Sequence, residues 1–133
     1  MAGLKINILL AEDNEGDILL TSEIIEESFS NNPLSVVKDG AAAIDFLYKR
    51  GKFKDVPQPD LILLDINMPK KSGLEVLEII KKDPELKSIP TVILTTSSSF
   101  KDKMIAEKHS ADYFFTKPLE DHQLQLILKG IRH

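Results

Sequence analysis

Short, nearly unbroken apolar runs lie at residues 6–11, 34–37, 61–65, 91–95 and 112–116. Each is the length of a strand, and the run Leu61-Ile62-Leu63-Leu64 has no polar break at all. Such a run suits a strand buried on both faces, in the middle of a parallel sheet. Between the runs, apolar positions recur at helical spacing. Asn14 is a good N-cap and Asp17 favours a helix start, with Ile18, Ile25 and Phe29 facing inward as far as about Ser30. Asn31-Asn32-Pro33 breaks that helix. Asp39-Gly40 turns into a second helix, Ala41 to about Lys49, and residues 51–59 form a polar connection. Ser72-Gly73-Leu74-Glu75 opens a third helix with Leu74, Val76, Leu77 and Ile80 inward, ended by Asp83-Pro84. Ser97-Ser98-Ser99 caps a fourth, residues 100–109, whose inward candidates are Met104, Ile105 and Ala106. Residues 119–131 make the fifth, with Leu124, Ile127, Leu128 and Ile131 on one face.

Strands alternating with helices imply βαβ units, a parallel sheet and right-handed crossovers. Strands one, three and four carry the strongest apolar runs and belong in the centre, while two and five belong at the edges. The resulting order, 2-1-3-4-5, is that of a flavodoxin-like doubly wound (βα)5 three-layer α/β sandwich. The chain has 133 residues, enough for one domain with a real core. Nothing follows the fifth helix, so residues 1–133 are expected to form a single domain without an output domain. A net charge of −4 gives no general basic field, so nucleic acid is not an expected partner. No stretch approaches the roughly 20 apolar residues of a membrane helix, and the N-terminus lacks a signal-peptide layout. Cysteine is absent, which excludes disulfides and thiolate metal sites. A cytoplasmic location without membrane contact is therefore expected. His109, His122 and His133 have no zinc-motif spacing and read as surface histidines.

The chemistry collects where the strands end. Glu12 and Asp13 follow strand one, Asp65 ends strand three, Thr95 closes strand four and Lys117 follows strand five. In a parallel sheet these positions share one rim, the edge where ligands bind. Each has an ordinary reading: Asp65 as a turn cap, Glu12-Asp13 as helix-start charge, Thr95 as a strand-end threonine, Lys117 as a solvated lysine. Taken together they converge. Three carboxylates in contact repel one another, and a hard divalent cation, Mg2+ best of all, removes that cost. A hydroxyl and an ammonium beside a metal-bound carboxylate suit a phosphoryl group. Asp65 on the central strand is then the natural acceptor of a covalent acyl phosphate.

At these residues the chain resembles the receiver domains of two-component response regulators. The likeness rests on residues 8–14 (Ile-Leu-Leu-Ala-Glu-Asp-Asn), residues 63–69 (Leu-Leu-Asp-Ile-Asn-Met-Pro), Gly73, Thr95 and Lys117-Pro118, and spans nearly the whole chain. The long connection from Tyr48 to Pro59 and the run Pro69 to Gly73 look like the stand-alone, chemotaxis-type or phytochrome-regulator-type receivers. The resemblance implies that Asp65 takes a phosphoryl group from a sensor histidine kinase, a phytochrome-like one included. It implies that Asp13, Asp65 and the Asn67 main-chain carbonyl bind magnesium, with Glu12 acting through water, and that Lys117-Pro118 is cis. Output would pass to a downstream protein or a histidine phosphotransfer partner, from a monomer or weak homodimer. Thr95 and Phe114 take the switch positions; phenylalanine stands where tyrosine is usual, and Thr96 where a smaller residue is common. Tyr113 has a hydroxyl but alternation points it to the other face. Asn67 and Ser97 flank the site and are expected to set phosphate lifetime.

Other classes fit less well. A magnesium phosphatase with an aspartyl-phosphate needs a general acid near the nucleophile, commonly two positions on, where this chain has Asn67. The acidic rim repels a flavin phosphate, and no Walker-type loop is present for a nucleotide. The expected protein is a phospho-accepting signalling domain rather than an enzyme, with slow self-dephosphorylation at most.

Overall fold

Five parallel strands pair in the order β2-β1-β3-β4-β5. The computed structural model describes residues 6–28, 33–96 and 99–131. Its elements are β1 (Ile8–Ala11), α1 (Glu15–Ser28), β2 (Leu34–Val37), α2 (Gly40–Leu47), β3 (Leu61–Asp65), α3 (Gly73–Lys82), β4 (Thr91–Thr95), α4 (Phe100–Lys108), β5 (Tyr113–Thr116) and α5 (Asp121–Ile131). A single 3-10 turn, Gly51–Phe53, interrupts the polar connection before β3. The three central strands are buried at every position, whereas β2 and β5 are only partly covered, as edge strands must be.

Side-chain alternation divides the sheet's two faces between two helical layers. Leu9, Ala11, Ile62, Leu64 and Ile93 pack against α2, α3 and α4 through Ala43, Phe46, Val76, Leu77, Ile80 and Ala106. Ile8, Leu10, Leu61, Leu63, Val92 and Leu94 pack against α1 and α5 through Ile25, Leu124, Ile127 and Leu128. Burial of this many branched side chains, at about 1.5–3 kcal/mol each, is the main force holding the three layers together.

The helix starts follow local chemistry. Asn14 Oδ1 accepts the Asp17 N–H at 2.9 Å, and Asp39 Oδ1 accepts the Ala42 N–H at 2.7 Å. Ser72 and Glu75 form a reciprocal capping box, and the Ser99 hydroxyl accepts from the Asp102 N–H at 3.4 Å. Each bond satisfies an amide that the first helical turn leaves without a partner. At the end of α3, Lys81 donates to Lys87 O at 3.0 Å, Ile89 O at 3.1 Å and Asp112 Oδ2 at 2.9 Å. Asp112 Oδ2 also accepts the Thr91 N–H at 2.8 Å. This polar latch ties α3 to the starts of β4 and β5, at the rim away from the acidic strand ends.

The weakly apolar α4 departs from expectation. Ala106 is buried, but Met104 is 54% exposed. Three consecutive helical residues span about 200° of the helix circumference, so they cannot all face one sheet. Ile105 is half-buried between them. In α1 the buried positions are Thr21 and Ile25, with Ile18 only half-buried. Phe29, also expected to face inward, lies outside the described residues. Among the described residues, no helix is long and apolar enough to cross a membrane.

Candidate functional site

Strand register determines which side chains meet. Ala11 pairs with Leu64, Asp65 with Leu94 and Thr95 with Thr116. One step further, the Lys117 N–H donates to Thr95 O at 2.8 Å. Glu12, Asp65, Thr95 and Lys117 therefore occupy neighbouring positions along the C-terminal rim of β1, β3, β4 and β5. Glu12 is 2% exposed, Asp65 6% and Thr95 0%, so three polar groups are buried at the edge of an apolar sheet. Burial of that kind costs several kcal/mol unless partners compensate.

Lys117 supplies much of the compensation. Its side chain is 9% exposed, and its Nζ contacts Glu12 Oε1, Asp17 Oδ2 at 2.9 Å and Asp65 Oδ1 at 3.2 Å. Burial alone would lower the lysine's pKa; the surrounding carboxylates outweigh it and hold the ammonium above its ordinary value. Burial raises the Glu12 carboxyl, against the lowering effect of Lys117 and the Asn14 amide. Burial likewise raises Asp65, with Lys117 opposing it. The two directions have different origins: burial raises the carboxyls, and the neighbouring carboxylates raise the ammonium.

Oxygen atoms of Glu12, Asp13 and Asp65 lie within 4.8 Å of one another. Oxygen-only donors at this spacing suit a hard divalent cation and do not suit a thiophilic one. The three differ in availability. One Glu12 oxygen faces Lys117 and the other accepts the Asn14 N–H at 3.2 Å. Asp13 is exposed, and Asp65 is buried with its Oδ1 toward Lys117. The donor set thus fits direct binding by Asp13 and Asp65, with Glu12 one step back.

Two glycines anchor the loop from Asp65 to Ser72. The Gly73 N–H donates to Ile66 O at 2.8 Å, and a Cβ on Gly73 would stand 2.0 Å from Asp65 O. The Gly40 N–H donates to Pro69 O at 3.3 Å, and a Cβ there would stand 2.1 Å from Lys71 O. Only a residue without a side chain permits either approach. The loop that carries Asn67 is therefore held against β3 at one end and against the start of α2 at the other. Asn67 itself is exposed.

Thr95 and Phe114 occupy a common sheet face. Ile93 pairs with Phe114 and Thr95 with Thr116, so both side chains follow the alternation of the α2–α3–α4 layer. Phe114 packs partly buried against that core. Tyr113 belongs to the opposite core and stacks on Phe115 at 5.6 Å. Glu12 and Asp65, by the same alternation, leave the sheet toward α1 and α5. Thr95 thus borders the acidic cluster from across the sheet. Thr96, the next residue, is exposed, and Lys117-Pro118 is cis, as expected. Ser97 lies outside the described residues.

Asp17 is the site residue that sequence reasoning missed. In the sequence it is one acid in a first helical turn, a position that helix polarity alone explains. Its available signal was the Asn14 cap, which brings the first turn of α1 back over the rim.

Comparison with known proteins places this site in a family. Residues 8–129 match the response regulator receiver domain. Response regulator Rcp1 from Synechocystis sp. is 40% identical over 124 residues, spanning 93% of this chain and 84% of that protein. The crystal structure of the phosphorylated cyanobacterial phytochrome response regulator RcpA shares 41% identity at a TM-score of 0.83, covering 96% of this chain and 91% of that one. The Mn2+-bound form of Rcp1 superposes at a TM-score of 0.81 with 38% identity, over 96% of this chain and 89% of that chain. On the strength of these matches, this chain belongs to the receiver domain family of two-component response regulators.

Proposed function

We propose that Asp65 is the phosphoacceptor of this response regulator, taking its phosphoryl group from a phosphohistidine of a sensor kinase. One observation carries the reading: a buried central-strand carboxylate lies 3.2 Å from a buried ammonium and beside two further acids. In the reaction an Asp65 carboxylate oxygen forms a bond to phosphorus while the phosphorus–nitrogen bond of the donor breaks. The imidazole leaves with the electron pair. Lys117 offers N–H groups to a phosphoryl oxygen, and the Thr95 hydroxyl donates to another.

Mg2+ is the proposed cation, held by Asp13, Asp65 and the Asn67 main-chain carbonyl, with Glu12 acting through water. When bound, it neutralises charge on the phosphoryl oxygens and the carboxylates. Asp65 then carries a compact dianion, which draws Thr95 toward the rim and leaves room for Phe114 to move inward. This biases the surface formed by α4, β5 and α5 toward a second state. A phytochrome-like kinase is the proposed donor, because RcpA is a phytochrome response regulator. Output passes to a downstream protein or a histidine phosphotransfer domain. No observation favours an aspartyl-phosphate phosphatase.

The test is labelling by acetyl phosphate, followed by mass spectrometry and by amide NMR with beryllofluoride. Wild type gains one phosphoryl group, and Asp65→Asn gains none while staying folded. Lys117→Ala still labels but shows a blunted spectral response. Labelling of Asp65→Asn at the wild-type rate overturns the assignment. Spectral changes confined to the rim overturn the switch.

A further inference from the structure

The Lys117 ammonium has three N–H groups, and three carboxylates receive them. Two of those carboxylates, Glu12 and Asp65, belong to the proposed phosphoacceptor and cation site. The third, Asp17, has no part in it. Asp17 stands on the first turn of α1, 100 residues from the lysine in sequence, and its contact is a full hydrogen bond at 2.9 Å. It is also the most exposed of the three partners, with a side chain 28% exposed against 2% for Glu12 and 8% for Asp65.

We propose that Asp17 is a positioning residue that holds Lys117 in a third anchor and withholds part of its charge from the incoming phosphoryl group. The inference rests on the phosphoacceptor reading above. When Asp65 becomes an acyl phosphate, its negative charge moves outward onto the phosphoryl oxygens, and the N–H that served Asp65 follows it. Asp17 and Glu12 keep the other two. Glu12 is locked, since its second oxygen accepts the Asn14 amide. Asp17 is therefore the adjustable competitor for the ammonium. Its negative charge has two opposed effects on ligands of the rim: it repels an anionic donor and it attracts a divalent cation. A unit charge about 6 Å from a phosphoryl dianion, in surroundings screened like water, changes its binding by about threefold to tenfold. Asp17 also stitches α1 to the chain after β5, so the setting of Lys117 depends on where the first turn of α1 lies.

The experiment uses the full chain and the variants Asp17→Asn and Asp17→Glu, the first keeping shape without charge. Two constants are measured: the half-saturating concentration of acetyl phosphate at saturating Mg2+, and the Mg2+ dissociation constant from calorimetry. Circular dichroism verifies folding of both variants. In Asp17→Asn, half-saturation falls by about threefold to tenfold while Mg2+ binding weakens, and Asp17→Glu returns both toward wild type. Opposite signs are the diagnostic, because a merely loosened site weakens both. Unchanged half-saturation, or movement of both constants toward weaker binding, overturns the proposal. If wild type takes no label at all, the phosphoacceptor reading fails instead, so the two failures are distinct.

Discussion

Neutralising Asp13 should stabilise the metal-free protein and remove its response to magnesium. The acid lies within 4.8 Å of both Glu12 and Asp65. At that separation two like charges repel by about 0.9 kcal/mol in water-like surroundings and about 3.5 kcal/mol at an effective dielectric of 20. Asp13 is exposed, which puts it near the lower figure, so the two repulsions together come to about 1–2 kcal/mol. For a chain of this length that is a rise in Tm of roughly 3–8 °C on Asp13→Asn in EDTA. Magnesium at a hundredfold excess over its dissociation constant should stabilise wild type by about 2.7 kcal/mol. The variant, lacking one direct ligand, should lose most of that increment. Thermal unfolding by circular dichroism, with NaCl matching the ionic strength of each MgCl2 point, separates specific binding from screening. The reasoning is refuted if Asp13→Asn lowers Tm in EDTA, or if it gains as much from magnesium as wild type does.

Other outcomes follow from particular contacts. Gly73→Ala forces a Cβ to 2.0 Å from Asp65 O and should cost upward of 3 kcal/mol, read as a lowered urea midpoint. Lys81→Met removes the donor shared by Lys87 O, Ile89 O and Asp112, and should lose about 2–3 kcal/mol in the same titration. The pH dependence follows from the raised Asp65 carboxyl. Between the ordinary aspartate value and the higher folded one, the folded protein keeps a proton that the unfolded chain releases. Its contribution to stability therefore falls as pH rises through that window. The Tm difference, wild type minus Asp65→Asn in EDTA, should decline from pH 4 toward pH 8, and magnesium should reverse the decline because it binds the ionised acid.

Much of this was legible in the sequence because burial on both faces removes polar positions from a strand. Residues 61–65 and 91–95 have no competing reading of that strength, and the edge strands were recognisable by their weaker runs. Strand ends then follow from topology, which is why Glu12, Asp65, Thr95 and Lys117 could be placed on one rim without coordinates. Helix α4 was less legible. Met104, Ile105 and Ala106 are adjacent, and the one pair spaced by four, Phe100 and Met104, lies on the exposed side, so periodicity could not pick out the buried Ala106. Asp17 was hidden for a different reason. An acid at a helix start already has a sufficient explanation, and only three-dimensional proximity to Lys117 gives it a second one. Gly40 likewise read as a turn residue; its approach to Lys71 O, across the rim, is a tertiary fact.

The phosphoacceptor assignment is tested most directly by locating the modified residue. Wild-type protein is incubated with acetyl phosphate and MgCl2, the acyl phosphate is reduced with borohydride, and the digested peptides are sequenced by mass spectrometry. The account predicts a single modified residue, Asp65, and loss of the modification when EDTA replaces magnesium. Modification at Asp13 or elsewhere, or labelling of Asp65 that persists undiminished in EDTA, would contradict it.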